Sequence, residues 1–158
     1  MATRGGTVVA GCHEGAPSPG AVEAAPLVAL IGPPNSGKTT LYNQLTGLRQ
    51  KVANYPGVTV EKHLGRARLG DERVVDVVDL PGVNGFSART LDERVTRDVL
   101  AGRVAGVAAP DAVVLVVDST RLETQLMLVE PVLELGLPTL LVLNMADELE
   151  ARGGRVRD

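Results

Sequence analysis

Cysteine is nearly missing. The 158-residue chain has one, Cys12, so no disulfide can form within it; a reducing compartment is compatible with that. Tryptophan is absent, and two Tyr and one Phe bring the aromatics to 2%. A core must therefore be built from Val, Leu and Ala. Long hydrophobic runs are missing too. The richest, Ala112–Val117 and Leu137–Leu143, have strand length and fall well short of the ~20 apolar residues that span a bilayer. The polypeptide alone is expected to cross no membrane. Its start lacks the basic and apolar order of a secretory leader. Charge of one sign is scarce as well: 16 Lys and Arg stand against 19 Asp and Glu, a net −3. That excludes a strong field for coating nucleic acid. What remains is 44% hydrophobic and 22% charged residues in a chain of one-domain length.

Residues 1–25 are rich in Gly, Ala and Pro with no lasting period, and are expected to form a flexible arm. Cys12-His13-Glu14 in that arm are contiguous ligand types, too few to close a metal site. From residue 26 onward strand and helix patterns alternate. "LVALI" is an apolar run closed by a Gly-rich turn, and "KTTLYNQLTG" is a helix stopped by Gly47. "VTVEKHLGRARL" and "ERVVDVVDL" predict a hairpin turning at Gly70-Asp71. "LDERVTRDVLAG" is helical, "DAVVLVVD" a buried strand. "RLETQLMLVEPVLELG" predicts an amphipathic helix with Leu122, Leu126, Val129 and Leu133 on one face, interrupted by Pro131. "LPTLLVLN" is a further strand, and "ADELEAR" starts a helix. The alternation predicts an α/β, three-layer sandwich with a mostly parallel sheet and one antiparallel edge strand. Ligands of such sheets bind beyond the carboxyl ends of the strands, here after Ile31, Asp79, Asp118 and Asn144.

"GPPNSGKTT", Gly32 to Thr40, fits the G-x4-G-K-[ST] phosphate-loop pattern between a strand and a helix. Gly32 and Gly37 let the backbone wrap close to phosphate oxygens. The amides of Asn35, Ser36, Gly37, Lys38 and Thr39, running into Thr40 and the helix start, would point inward as an anion nest. Pro33 and Pro34 lack amide donors. Lys38 supplies a charge between the outer phosphates, and Thr39 a hydroxyl for magnesium.

"DLPG" ends a strand with Asp79 and sets Gly82 three residues on. An Asp there orders magnesium through water, and the Gly amide meets the terminal phosphate. "NYPGVTVE", Asn54 to Glu61, carries Thr59, which can offer magnesium a second hydroxyl. Gly57 and Val58 lead into it. Many such switches place Gln straight after the Gly of DxxG, to hold the attacking water. Here the residue is Val83, which has no hydrogen-bonding side chain. "VLNMAD" spaces Asn144 and Asp147 around Met145 as N-x-x-D. An Asp carboxylate can accept from the ring N–H and exocyclic amine of guanine; adenine leaves it unpaired. Asp147 before "ELEAR" would serve equally as a helix start.

"IGPPNSGKTTLYNQLTG", "NYPGVTVE", "VVDLPG" and "LELGLPTLLVLNMADE" together resemble the cytosolic G domain of FeoB-type ferrous iron transporters, within the TRAFAC-class, Era/TrmE-like GTPases. The resemblance covers the chain from about Leu27 onward. It implies a P-loop NTPase fold of Ras-like G-domain type over residues 26–158. It implies a domain that binds GTP/GDP with Mg2+, hydrolyses GTP slowly and regulates ferrous iron uptake. Thr39, Thr59 and Asp79 would face the magnesium ion; Lys38, Asn35, Thr59 and Gly82 would act in hydrolysis. The family carries a hydrophobic residue where Val83 stands and is similar to potassium-activated GTPases, so Asn35 and the segment around Asn54 and Tyr55 would hold K+. A membrane transport domain follows in family members, placing the G domain on the cytoplasmic face of the bacterial inner membrane. The chain is expected to stop before the family's last guanine-contacting loop, last strand and final helix. Pro33 departs from the family's commoner Asn, at a position expected to face outward. Two further readings share these motifs: a ribosome- or tRNA-associated GTPase, which usually adds a basic RNA-binding module this acidic chain lacks, and a non-enzymatic truncated nucleotide-binding fragment. His63 is expected to be solvated, as are Arg66, Arg68 and Arg73 on the hairpin.

Overall fold

A computed structural model of the chain describes residues 24–70 and 72–155. The arm expected over residues 1–25, with Cys12 and His13, falls almost wholly outside the described residues. β1 (Leu27–Ile31), β4 (Val74–Asp79) and β5 (Ala112–Asp118) form the centre of a six-stranded sheet. β6 (Thr139–Asn144) lies beside β5; β3 (Glu61–Arg68) and β2 (Gln50–Asn54) complete the other side. The order is β2-β3-β4-β1-β5-β6. β1 pairs in parallel with β4 and β5, and β5 with β6, while β3 runs antiparallel to both β4 and β2.

Alternation within the strands makes two cores. Ala29 and Ile31 of β1 with Val113, Leu115 and Val117 of β5 face one side, Leu30 and Val116 the other. The first side is covered by Val95 and Val99 of α2 (Leu91–Leu100) and by Leu128 and Val132. The second is covered by Tyr42 of α1 (Lys38–Thr46). Two helical layers thus sandwich the sheet, and the apolar strands are buried on both faces as parallel strands require. With so few aromatics, the two tyrosines are the largest fully buried side chains. The hydroxyls of Tyr42 and Tyr55 have no hydrogen-bond partner.

Three expectations are corrected. One strand, β3, runs against the others as expected, but it is not the edge, because β2 pairs outside it. Residues 50–54 form β2, whose residues are all exposed, so no apolar alternation marked it. The segment "RLETQLMLVEPVLELG" does not form one helix. A 3₁₀ turn at Ser119–Arg121 leads into α3 (Leu122–Gln125), then a second 3₁₀ turn at Leu126–Leu128 leads into α4 (Val129–Leu133). Pro131 lacks an amide for the Met127 carbonyl one turn earlier, and the α-geometry breaks there. The break changes the buried face: Leu126 and Leu133 are exposed at 42% and 57%, while Leu128 and Val132 are buried. Pro33, expected outward, is buried in the turn between β1 and α1.

α1 stops at Gly47 in the left-handed region, φ 60°, as the Gly predicts. α2 begins at a capping box. Glu93 N–H donates to Thr90 Oγ1 at 3.1 Å, and the Glu93 carboxylate accepts from Ser87 Oγ and Arg89 N–H, each at 3.0 Å. α5 (Ala146–Ala151) follows β6 directly. No helix among the described residues is long and apolar enough to cross a membrane.

Candidate nucleotide site

The parallel strands end on one side of the sheet, and the loops leaving β1, β4 and β6 meet there. Between Ile31 and Lys38 the chain reverses with Asn35 and Gly37 both left-handed, φ 63° and 83°. Asn is one of the few side chains that tolerates this region. Gly37 is required twice over, because a Cβ there would lie 2.1 Å from Asn144 Nδ2. That amide donates to the Ser36 carbonyl at 2.9 Å. The end of β6 is thereby latched to the loop after β1. Met145, left-handed at φ 60°, turns the chain from Asn144 into α5. Asp147 sits exposed in the first turn of that helix.

The latch has its own support. Ser119 Oγ donates to the Asn144 carbonyl. Asp118 N–H donates to Gln125 Oε1 at 2.6 Å, and the Asp118 carboxylate accepts from Thr120 N–H at 2.8 Å. Nothing in the sequence pattern singles out Ser119 or Gln125; only their position just beyond a strand end, at Asp118, pointed to this loop.

Lys38, Thr39, Thr59, Asp79 and Gly82 line one open cleft of about 500 Å³. An adjoining depression of about 440 Å³ is lined by Pro34, Asn35, Gly37 and Thr40, and shares Lys38, Thr39 and Gly82 with the first. Lys38 pairs with one oxygen of Asp79, both side chains only 8% exposed. Thr39 Oγ1 donates to the other oxygen at 3.3 Å. A buried cation, a buried carboxylate and a hydroxyl therefore converge at the mouth of α1. Gly82 lies against Pro34, with room for no bulky group: a Cβ would come within 3.1 Å of the Pro34 nitrogen.

Not every predicted residue reaches the cleft. Within the loop Gly32 and Ser36 are buried, and the Ser36 hydroxyl has no partner. Gly57 is exposed beyond the rim, and Val58 packs against the apolar core. Asn144 and Met145 stand against the loop at Ser36 and Gly37, and neither they nor Asp147 line the cleft. His63 lines the cleft wall rather than standing free in solvent. It is paired in register with Asp79, and its ring lies 3.1 Å from Gln50 Oε1 and 3.2 Å from Glu61 Oε2. Leu91 and Asp92, at the start of α2, complete the wall. Arg66 is bound to Asp76 at 2.8 Å, which raises its pKa through the hydrogen bond first and the charge second.

Val83 answers its own question. It is 2% exposed and its N–H donates to the Gly32 carbonyl at 3.0 Å. Its side chain belongs to the core under α2, not to the cleft. Tyr55, next to the Thr59 loop, is buried in the same cluster. Burial, and secondarily the Asp79 charge, pushes its phenol pKa far above the usual value.

A mostly parallel α/β sheet with a phosphate-type loop after its first strand, an Asp-x-x-Gly segment after β4 and an Asn-latched loop after β6 defines a P-loop NTPase domain of the G-domain type. The chain belongs to the family described as ferrous iron transport protein B, whose N-terminal profile matches residues 27–158. The Fe(2+) transporter FeoB of Shigella flexneri is 43% identical over 134 residues, which is 82% of this chain and 16% of that protein. A fusion of Fe(2+) transport protein A with FeoB from Porphyromonas gingivalis is 42% identical over 126 residues, 14% of its length. The chain thus spans about a sixth of the relatives it matches. Among solved structures, a mutant S. thermophilus NFeoB bound to GDP superposes with a TM-score of 0.73 at 39% identity, covering 84% of this chain and 49% of that one. The G domain of the T. maritima FeoB superposes with a TM-score of 0.70 at 38% identity, covering 84% and 85%.

Proposed function

We propose that this chain is the GTP-binding, slowly hydrolysing regulatory domain of a ferrous iron uptake transporter. The observation that carries the reading is the convergence of Lys38, Thr39, Thr59, Asp79 and Gly82 on one cleft, with Asn144 latched to the Ser36 carbonyl beside it. GDP-bound relatives of nearly 40% identity support it.

The residues fit a hard divalent cation. Asp79 already gathers a cation and a hydroxyl on its two oxygens, and Thr59 lines the same cleft: an oxygen donor set. Thr39, Thr59 and Asp79 are the residues that would hold Mg2+, which neutralises charge on the outer phosphates when bound. Lys38 turns from Asp79 to the phosphates. The Gly82 amide, beside Pro34, reports the terminal phosphate. Asn35 is exposed on the rim with a side-chain oxygen, and is the residue that would hold K+. With Val83 buried, no side chain at that position can orient water. Water is positioned by main-chain groups of the two switch segments, and charge stabilisation supplies most of the rate. Asp147 reads guanine, and Asn144 braces the loop. In the whole transporter this domain stands at the cytoplasmic face of the bacterial inner membrane and acts on a membrane transport domain.

Isothermal calorimetry tests the reading. The chain gives heat with GDP and none with ADP, and Lys38→Ala abolishes the GDP heat. Replacing sodium by potassium raises GTP turnover, and Asn35→Ala removes that rise. No heat with GDP, or equal heats with ADP and GDP, would overturn the guanine assignment.

A further inference from the structure

Tyr55 is placed where a loop residue is not expected. It follows β2, all of whose residues are exposed, and precedes exposed Pro56 and Gly57, yet it is itself only 1% exposed. Its ring shares one apolar cluster with Leu80 and Val83 of the segment after β4 and with Val95 and Val99 of α2. Val58 and Val60, the two neighbours of Thr59, pack against the same cluster. The main chain closes the loop on itself: Tyr55 N–H donates to the Val60 carbonyl at 2.9 Å, and the Tyr55 carbonyl accepts from Val58 N–H at 3.2 Å. Thr59 is therefore the outward-facing residue of a short closed loop that is rooted in the core by an aromatic side chain. On the far side of that cluster, Val83 is tied through its amide to Gly32, the first residue of the phosphate loop.

A packed interior does not let two segments that share it shift independently. An aromatic ring in such a seat carries a large apolar area. The hydroxyl contributes nothing favourable, being buried without a partner. The ring is thus the part that matters for holding the loop.

We propose that Tyr55 is a positioning residue that couples the two switch segments: it seats the Thr59 loop on the cluster that carries Val83, so that Thr59 and Gly82 register the terminal phosphate together. Val83 is apolar because its side chain is half of that seat. The inference rests on the nucleotide reading of the cleft given above. Coupling of this kind changes how well the protein distinguishes triphosphate from diphosphate, while contacts made by the phosphate loop and the base-reading residues are common to both.

The test titrates the full chain with GDP and with a non-hydrolysable GTP analogue in Mg2+, for wild type, Tyr55→Leu, Tyr55→Phe and Thr59→Ala, with thermal melts of each. In Tyr55→Leu the ratio of analogue to GDP affinity falls about tenfold, within the usual range of coupling between sites, while GDP affinity is kept. Tyr55→Phe keeps the wild-type ratio. The double variant Tyr55→Leu with Thr59→Ala loses no more than Thr59→Ala alone. A cooperatively melting Tyr55→Leu with an unchanged ratio overturns the inference, as does a Tyr55→Phe that loses the ratio to the same extent. If Tyr55→Leu does not melt cooperatively, Val83→Ala opens the seat from the other side, and there an unchanged ratio overturns the inference. A wild-type chain that binds neither nucleotide overturns the nucleotide reading and this inference with it. A wild type that discriminates while the variants do likewise overturns the inference alone.

Discussion

Single residues decide the geometry of the loop after β1. Gly37 combines φ 83° with a Cβ position 2.1 Å from Asn144 Nδ2. Gly37→Ala therefore strains the backbone and breaks the donation from Asn144 to Ser36 at once. Each such strained position costs of order 1–3 kcal/mol. The expected outcome is a melting temperature lowered by several degrees and loss of measurable GDP heat in calorimetry. Asn144→Ala, which removes the latch without strain in the loop, lowers GDP affinity and leaves the melting temperature closer to wild type. Gly37 and Asn144 stand out in the sequence as motif letters. The donation from Asn144 to Ser36 does not, because the partners are 108 residues apart. Val83 shows the opposite limit. Its identity is plain in the sequence, but only burial shows that its side chain is a core element.

At the scale of the element, the start of α2 responds to pH. The Ser87 hydroxyl foremost, then main-chain donors and the Arg89 charge, hold the Glu93 carboxyl below its usual 4.5. A lowered folded value means that Glu93 stabilises the fold fully above the ordinary carboxylate range, and that this contribution is lost as pH falls through the folded value. Wild type melts above Glu93→Gln at pH 7, and the two melting temperatures converge as the pH is taken down through and below the lowered folded value. Thr90→Ala removes the other half of the box and lowers stability by ~1 kcal/mol in chemical denaturation. Strand β3 carries a second such constraint. Gly65 lets α1 close on the sheet, since a Cβ there would lie 2.5 Å from Thr46 Cγ2 and 2.8 Å from the Tyr42 hydroxyl. Gly65→Ala overpacks this contact and costs about 1–3 kcal/mol, read in the same denaturation experiment. The helix itself follows from the four-residue recurrence of Leu91, Val95 and Val99, but its capping box at Thr90 and Glu93 came only from the structure. The broken helix at Pro131 was legible as an interruption, but its consequence was not. A 3₁₀ turn shifts the angular register by more than the sequence period records, so Leu126 and Leu133 turn outward.

Across the whole molecule, among the described residues, β2 and β6 form the two edges of the sheet. β2 is guarded by Lys51 and by exposure of every residue. β6 presents Leu140 and Leu141, 60% and 39% exposed, with unpaired main-chain groups along its outer side. Such an edge invites pairing with other chains. Leu140→Lys is expected to reduce concentration-dependent association in light scattering while leaving unfolding within about ±0.5 kcal/mol of wild type.

The sequence by itself determined the class of fold, the order of most strands and helices, and the letters of the nucleotide motifs. These depend on local period and on short spacings, which one dimension records in full. It also determined that the position after the DxxG glycine lacks a hydrogen-bonding side chain. The tertiary structure decided what those letters touch. It added β2, whose exposed residues carry no amphipathic signal. It joined Asn144 to the phosphate loop through a contact of long sequence separation, brought His63 to the cleft wall through strand register with Asp79, and placed Tyr55 and Val83 in one apolar seat. Burial and register are properties of the packed chain, set where segments distant in sequence exclude water from one another, and no local pattern contains them.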